Sequence, residues 1–367
     1  KAMLASGRET FYGAEDKQRN VYDVLTQSVV TRRRATRVLD LGDYPTLRAG
    51  KTASIYDLDE GVLCVELHGK MNTIDDEVLE VLGEAIETAE NDHRALVLTG
   101  RGDHFSAGAD LSSSMEAAQQ GKWWVFEDQI RKFQAATSSL SYSRIPTVAA
   151  VQGRALGGGC ELMIHCDRVQ TSCELYAGFV EVAVGLVPGA GGCRMKAIRC
   201  EELASQVPNG DLFPFVNQAL ELIAMAKVST SGAEAFQLGL LRPGDGISRN
   251  HRTLLSDARA AALLLAEQGY RPPRFREAVR VLGDAGIAEF KVRLNIFAQS
   301  QFITEYDAVI ANKVAYILCG GDVPANSLVS EQHLLDLECD AFLSLLGQPK
   351  TQARVEHMLK TGKPLRN

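Results

Sequence analysis

Apolar residues are spaced along this chain in two ways, and the change between them marks its organisation. Val62–Leu67 (VLCVEL) is a short, apolar, β-branched run that alternates poorly, which predicts a buried strand. Asp75 and Asp76 then open a stretch in which Val78, Leu79, Leu82, Ala85, Ile86 and Ala89 recur at helical spacing. Acids at that point also suit the positive end of a helix dipole. ALVLT at 95–99 and TVAAVQ at 147–152 predict further strands, separated by a polar, helix-rich stretch over 112–141. Helical character resumes near Gly158, and another strand is expected about 168–171. Strands alternating with helices imply an α/β fold with parallel pairing. From about Gln218 the spacing is helical at 220–226, 256–267 and 330–346, with Pro272-Pro273 and Gly320-Gly321 as breaks. The pattern divides the chain into an irregular N-terminal extension or linker (1–50), a core (51–235) and a mostly helical region (236–367).

Charge and cysteine content narrow the partners. A net charge of −7 on 367 residues argues against a general nucleic-acid binder, which needs a basic face. Arg32-Arg33-Arg34 reads as part of a solvated linker. No apolar run approaches the ~20 residues that a membrane helix needs, and no signal-peptide pattern is present. The eight cysteines show neither a CxxC pair nor zinc-ligand spacing, so no metal is expected. Most lie in apolar runs, as small buried hydrophobes of a cytoplasmic protein. The abrupt start at Lys1 suggests a piece of a longer polypeptide.

The chemistry concentrates between Val148 and Cys193. A strand runs into Gly157-Gly158-Gly159, and a helix begins with Cys160-Glu161-Leu162-Met163-Ile164. Glycines there permit unusual backbone angles and close approach, and the free amides of a first helical turn attract an anion. A phosphate, a carboxylate, an oxyanion or a plain packing turn all fit that description. GxxxxGK[ST], GxGxxG and the serine-hydrolase elbow are absent. A second glycine element, HFSAGAD at 104–110, also follows a strand and precedes a helical segment.

FSAGADL, AVQGRALGGGCEL and GFVEVAVGLVPGAGG, in this order and spacing, resemble the enoyl-CoA hydratase (crotonase) family. The likeness is strong from about Ser54 to Cys193. Outside it, the lead-in through Lys70-Met71-Asn72, AMAKVSTS at 224–231 and the tail 350–367 resemble the C-terminal part of bacterial 3-hydroxyacyl-CoA dehydrogenase fusions. The resemblance implies a crotonase-like spiral of ββα turns with a helical C-terminal region, often trimeric. It also implies an acyl-CoA substrate, no cofactor beyond that coenzyme A, and a dehydrogenase segment preceding this one. Carried over by position, the oxyanion hole is the backbone amides of Ala109 and Gly158, and the catalytic carboxylates are Glu161 and Glu181. Lys70, Asn72, Ala107, Gly157, Phe179 and Gly189 fall at substrate-binding positions. Trp123 and Trp124 line the acyl channel or pack in the core. His165 reads as a core histidine.

Local sequence separates the two glutamates. Glu161 lies in a first helical turn, where the dipole favours the ionised form, so it is expected to be the base. Glu181 lies among Phe179, Val180, Val182, Val184 and Leu186, where desolvation raises its pKa, so it is expected to be the acid. The expected reaction is hydration of 2-enoyl-CoA in fatty-acid β-oxidation. The alternatives are a double-bond isomerase or thioester hydrolase of the same fold, or a non-catalytic acyl-CoA-binding or docking module. Phe179-Val180 and Cys193-Arg194-Met195-Lys196 depart from the family pattern, and 201–218 reads as an insertion.

Overall fold

The apolar, β-branched runs pair edge to edge, and the helical stretches pack on both faces of the sheet they form. The computed structural model describes residues 12–15, 18–32, 38–109 and 123–367. In the N-terminal stretch expected to be irregular, β1 (Tyr12–Glu15), β2 (Gln18–Asp23) and β3 (Ser28–Arg32) form a small antiparallel sheet. The β2–β3 turn is closed by Asp23, whose Oδ1 accepts from the amides of Leu25 and Thr26 at 2.8 and 3.2 Å. Such a local side-chain turn is hard to see in a polar stretch without an apolar face.

The main sheet contains β4 (Thr46–Ala49), β5 (Ala53–Asp57), β6 (Val62–Leu67), β7 (Ala95–Gly100), β8 (Thr147–Leu156), β9 (Arg168–Gly178) and β10 (Gly246–Ser248). Their order is β10-β9-β8-β7-β6-β5-β4. The pairs from β6 to β10 are parallel, while β4 and β5 add an antiparallel edge. Every residue of β6 is buried, which explains its poor alternation: both faces are covered. Leu63, Val65 and Leu67 join one core with Leu96, Leu98, Ala149 and Val151. Val62 and Cys64 join a second with Val97, Val148 and Ala150.

Helices α1 (Asp76–Asp92), α2 (Trp123–Tyr142), α3 (Gly158–His165) and α4 (Gly192–Ser205) contribute to the first core. Asp75 caps α1 by accepting from the Val78 amide at 2.9 Å. The residues expected as an insertion, 201–218, become the end of α4, a turn and the start of α5 (Phe213–Ala224). Next come α6 (Gly232–Gln237) and α7 (Leu254–Glu267), whose Leu254, Ala258 and Ala262 close the second core. The chain ends in α8 (Gly283–Gln299), α9 (Glu305–Leu318), α10 (Glu331–Leu346) and α11 (Pro349–Thr361), with β11 (Val279–Arg280) and β12 (Leu328–Val329) pairing between them. No helix of the described residues is long and apolar enough to cross a membrane.

Candidate active site

Parallel strands deliver their C-terminal ends to one edge, where ligands of α/β sheets commonly sit. At that edge the loops after β6, β7 and β8 are knitted by backbone hydrogen bonds. Ala107 N–H donates to Met71 O (3.1 Å), Ile74 N–H to Gly108 O (3.0 Å) and Leu156 N–H to Ser106 O (3.0 Å). Asn72 is buried and spends its amide on Arg101 O (3.0 Å) and His104 O (2.8 Å), so it braces the loops. Lys70 is exposed at the rim and Ala107 is half-buried.

The glycine turn is required by what approaches it. Gly157, at φ 53° and ψ −125°, holds a conformation that L side chains rarely adopt. A Cβ on Gly158 would lie 2.8 Å from the Phe133 ring and 3.4 Å from the Ala109 nitrogen. The amides of Ala109 and Gly158 are therefore neighbours, brought together from two loops. Neither donates a hydrogen bond among the described residues, and Ala109 is exposed. Two free, adjacent N–H groups form a ready receptor for a developing negative oxygen.

Glu161 and Glu181 lie behind this pair. Glu161, on α3, is 2% exposed, and its Oε1 accepts from Ala190 N–H and Gly192 N–H, both at 2.8 Å. Burial raises its pKa to about 7, against the pull of those amides and of Arg194. The sequence expectation of a favoured ionised form is corrected here: desolvation outweighs the helix dipole. The amides that reach the carboxylate also come from the start of α4, not from its own helix.

Glu181 opens a 3-10 turn (Glu181–Val184) after β9. Both its carboxylate oxygens are buried without a hydrogen-bond partner among the described residues. One would lie 3.2 Å from a Cβ on Gly157, so the carboxylate faces the glycine turn. Burial, then the Glu161 charge, push its pKa well above the usual carboxylate range. Both shifts are upward; at Glu161 two short amide hydrogen bonds oppose the rise.

Phe179 is fully buried, and a Cβ on Gly192 would lie 2.8 Å from its ring. Gly189 is half-buried, and a Cβ there would lie 3.0 Å from the Phe342 ring. Trp124 is 71% exposed, and the Trp123 side chain lies outside the described residues. His165 is buried, its Nδ1 within 2.6 Å of Glu161 O and its Nε2 unpartnered. Burial holds its pKa well below the usual histidine value, so it is a neutral core residue.

Sequence reasoning missed a layer supplied by the last two helices. Glu338 on α10 accepts from Gly191 N–H (2.8 Å) and Arg194 N–H (2.6 Å). Glu331, one heptad earlier, accepts from Arg194 Nη1 at 2.9 Å and from Tyr142 and Arg276. On α11, Arg354 donates to Val182 O (3.2 Å) and pairs with Asp307 at 2.7 Å. Thr351 donates to Gly185 O at 2.7 Å. The available signal was two acids, Glu331 and Glu338, on the same stripe as Leu334, Leu335, Ala341 and Leu345. A buried charge on an apolar face demands a partner.

Comparison with known proteins agrees with this architecture. Residues 57–203 match the sequence profile described as enoyl-CoA hydratase/isomerase. A Bacillus subtilis protein named "Probable 3-hydroxyacyl-CoA dehydrogenase" is 37% identical over 369 residues, covering 100% of this chain and 46% of its own length. A Mycobacterium bovis protein named "Probable enoyl-CoA hydratase echA8" is 28% identical, covering 67% of this chain and 87% of its own. The crystal structure of an enoyl-CoA hydratase from Bacillus halodurans superposes with a TM-score of 0.55 at 19% identity, covering 83% of this chain and 99% of that one. The fold is thus that of the crotonases, and this chain spans less than half of the long Bacillus subtilis relative.

Proposed function

We propose, from the premise that this chain belongs to the enoyl-CoA hydratase/isomerase family, that it adds water to 2-enoyl-CoA thioesters. The observation that carries this reading is a pair of glutamates whose carboxyl groups are buried in different surroundings beside two free amides. Isomerisation of a double bond can proceed with one carboxylate, whereas addition of water uses a base and an acid.

In this scheme the thioester carbonyl oxygen rests between the amides of Ala109 and Gly158. Glu161, the more readily ionised, takes a proton from a water held between the carboxylates. The hydroxyl adds to C3, and charge flows to the thioester oxygen, where pre-aimed donors contribute ~3 kcal/mol each by analogy with other oxyanion holes. Glu181, which retains its proton, delivers it to C2, and the product is a 3-hydroxyacyl-CoA. Water and thioester supply every atom, so no further cofactor enters. Lys70, at the rim, meets the coenzyme A moiety. A product with a 3-hydroxyl fits fatty-acid β-oxidation, because a dehydrogenase can oxidise it next.

The test is product analysis with crotonyl-CoA and a 3-enoyl-CoA, using wild type, Glu161→Gln and Glu181→Gln. Hydration lost more than tenfold in both variants supports the scheme; less than tenfold in either removes the two-carboxylate mechanism. Release of free coenzyme A, or isomerisation without hydration, replaces the reading with hydrolase or isomerase.

A further inference from the structure

The start of α4 is gripped by two carboxylates, neither of them its own. Its N-cap, Gly191, sits at φ 93° and has no side chain with which to satisfy the first amides of the helix. Glu161 takes the amides of Ala190 and Gly192, and Glu338 takes those of Gly191 and Arg194. The two acceptors thus alternate along one short segment of backbone. Glu338 is fully buried on α10, 177 residues further along the chain than Glu161 (338 − 161).

We propose that Glu338 is a positioning residue: it fixes the 190–194 segment so that two of its amides meet the Glu161 carboxylate. The inference rests on Glu161 being the base of the reaction proposed above. Without Glu338, Gly191 N–H and Arg194 N–H would lose their acceptors, and the segment would turn to find others. Ala190 and Gly192 would move with it. Their hold on Glu161 is what opposes the cost of burying its charge. A displacement near 1 Å at a reacting group can cost ~10²-fold in rate.

The charged and titratable groups around Glu161 are Glu181 on the 3-10 turn, Arg194 and Cys193 on α4, Cys160 and His165 on α3, and Glu338 itself. Two effects of Glu338 on Glu161 therefore oppose each other. Where Glu338 is ionised, its like charge would raise the Glu161 pKa; its grip on the amides lowers it. Positioning requires that the second effect win.

The experiment compares wild type, Glu161→Gln, Glu338→Gln and Glu338→Ala in crotonyl-CoA hydration across pH. For Glu338→Gln, kcat should fall ~10- to 100-fold with KM changed less than ~3-fold, as loss of alignment without loss of binding predicts. The acid limb of the kcat profile should move to higher pH. Glu338→Ala should lose more than Glu338→Gln, because Gln keeps one acceptor oxygen in place. The Glu161 titration, followed by carboxyl 13C NMR and assigned by its absence in Glu161→Gln, should move upward in both variants even if hydration is not the reaction. An unchanged profile, or a midpoint moved downward as loss of charge alone gives, overturns the proposal. So does a Glu338→Gln protein that no longer melts cooperatively, which makes the residue a determinant of folding. If Glu161→Gln keeps its activity, the reading of the site fails; if only the Glu338 variants behave as wild type, the positioning role alone fails.

Discussion

The two glutamates occupy parts of the molecule built on different principles. Glu161 rises from a glycine-rich helix start into a ring of backbone donors, whereas Glu181 sits on a 3-10 turn where neither carboxylate oxygen finds one. Glu161 is buried and Glu181 half-buried, but both carboxyl groups are shut away from water, so burial raises both pKa values. Glu161 gains two short amide hydrogen bonds, and its charge in turn raises Glu181 further. The proposed scheme takes them as base and acid because only Glu161 accepts short hydrogen bonds from the 190–192 backbone.

The largest effect that could break this comparison is on turnover. Glu161→Gln and Glu181→Gln should each reduce kcat by ~10²- to 10⁴-fold, the usual worth of general acid–base catalysis. Steady-state hydration of crotonyl-CoA measures it, and a large loss in one variant alone would end the division of labour.

Next in size is the charge beside Glu161. Arg194 is fully buried and pairs with Glu331 at 2.9 Å. Arg194→Met leaves that acid without its counter-charge and should destabilise the fold by about 3 kcal/mol. Urea unfolding reads this directly. The same variant removes an attraction that lowers the Glu161 pKa, so any residual activity should need higher pH.

A smaller contrast concerns truncation. Glu161→Ala orphans two buried amides, whereas Glu181→Ala removes a carboxyl with no partner. The first should cost ~1–3 kcal/mol more than the second, the usual penalty of buried unsatisfied groups. Equal melting temperatures would show that the amides at Glu161 contribute little.

The smallest effects are slopes with pH. With a folded pKa of about 7 against an ordinary 4.5, Glu161 makes the folded state bind more protons than the unfolded one between those values. Its contribution is full below pH 4.5 and fades as pH rises to 7, at no more than ~1.4 kcal/mol per pH unit. Glu338, raised to about 8, adds the same sign over a wider window. Activity should run the other way, rising through pH 7 as Glu161 ionises and falling at alkaline pH as Glu181 loses its proton. Thermal melts and kcat measured over pH 5–9 would reveal whether the slopes oppose.

Much of this was legible in the chain. Fully buried runs such as Val62–Leu67 disclose a covered sheet, since only strands hidden on both faces dispense with alternation. Gly157–Gly159 announce a turn too tight for side chains: Glu181 approaches Gly157, Phe133 and Ala109 approach Gly158, and Ser106 approaches Gly159. The hairpins of 12–32 were not read from the sequence, because their strands are short and the β-branched run Val29-Val30-Thr31 stands among polar residues. Of the two last helices, the one at 331–346 was visible as a helix and the one at 349–361 was not, and neither was visible as part of the site.

The sequence by itself determined the strands and helices and, through its resemblance to a known family, nominated two amide-bearing loops and two glutamates. Periodicity and glycine, which act over a few residues, disclose elements and tight turns; the roles came from the resemblance. Only the tertiary structure decided how each glutamate is held. The Glu161 pKa is set by burial and by the start of α4, and that start is gripped in turn by Glu338 on α10. Desolvation and hydrogen bonding depend on which distant backbone fills the space around a charge, and no local pattern encodes that.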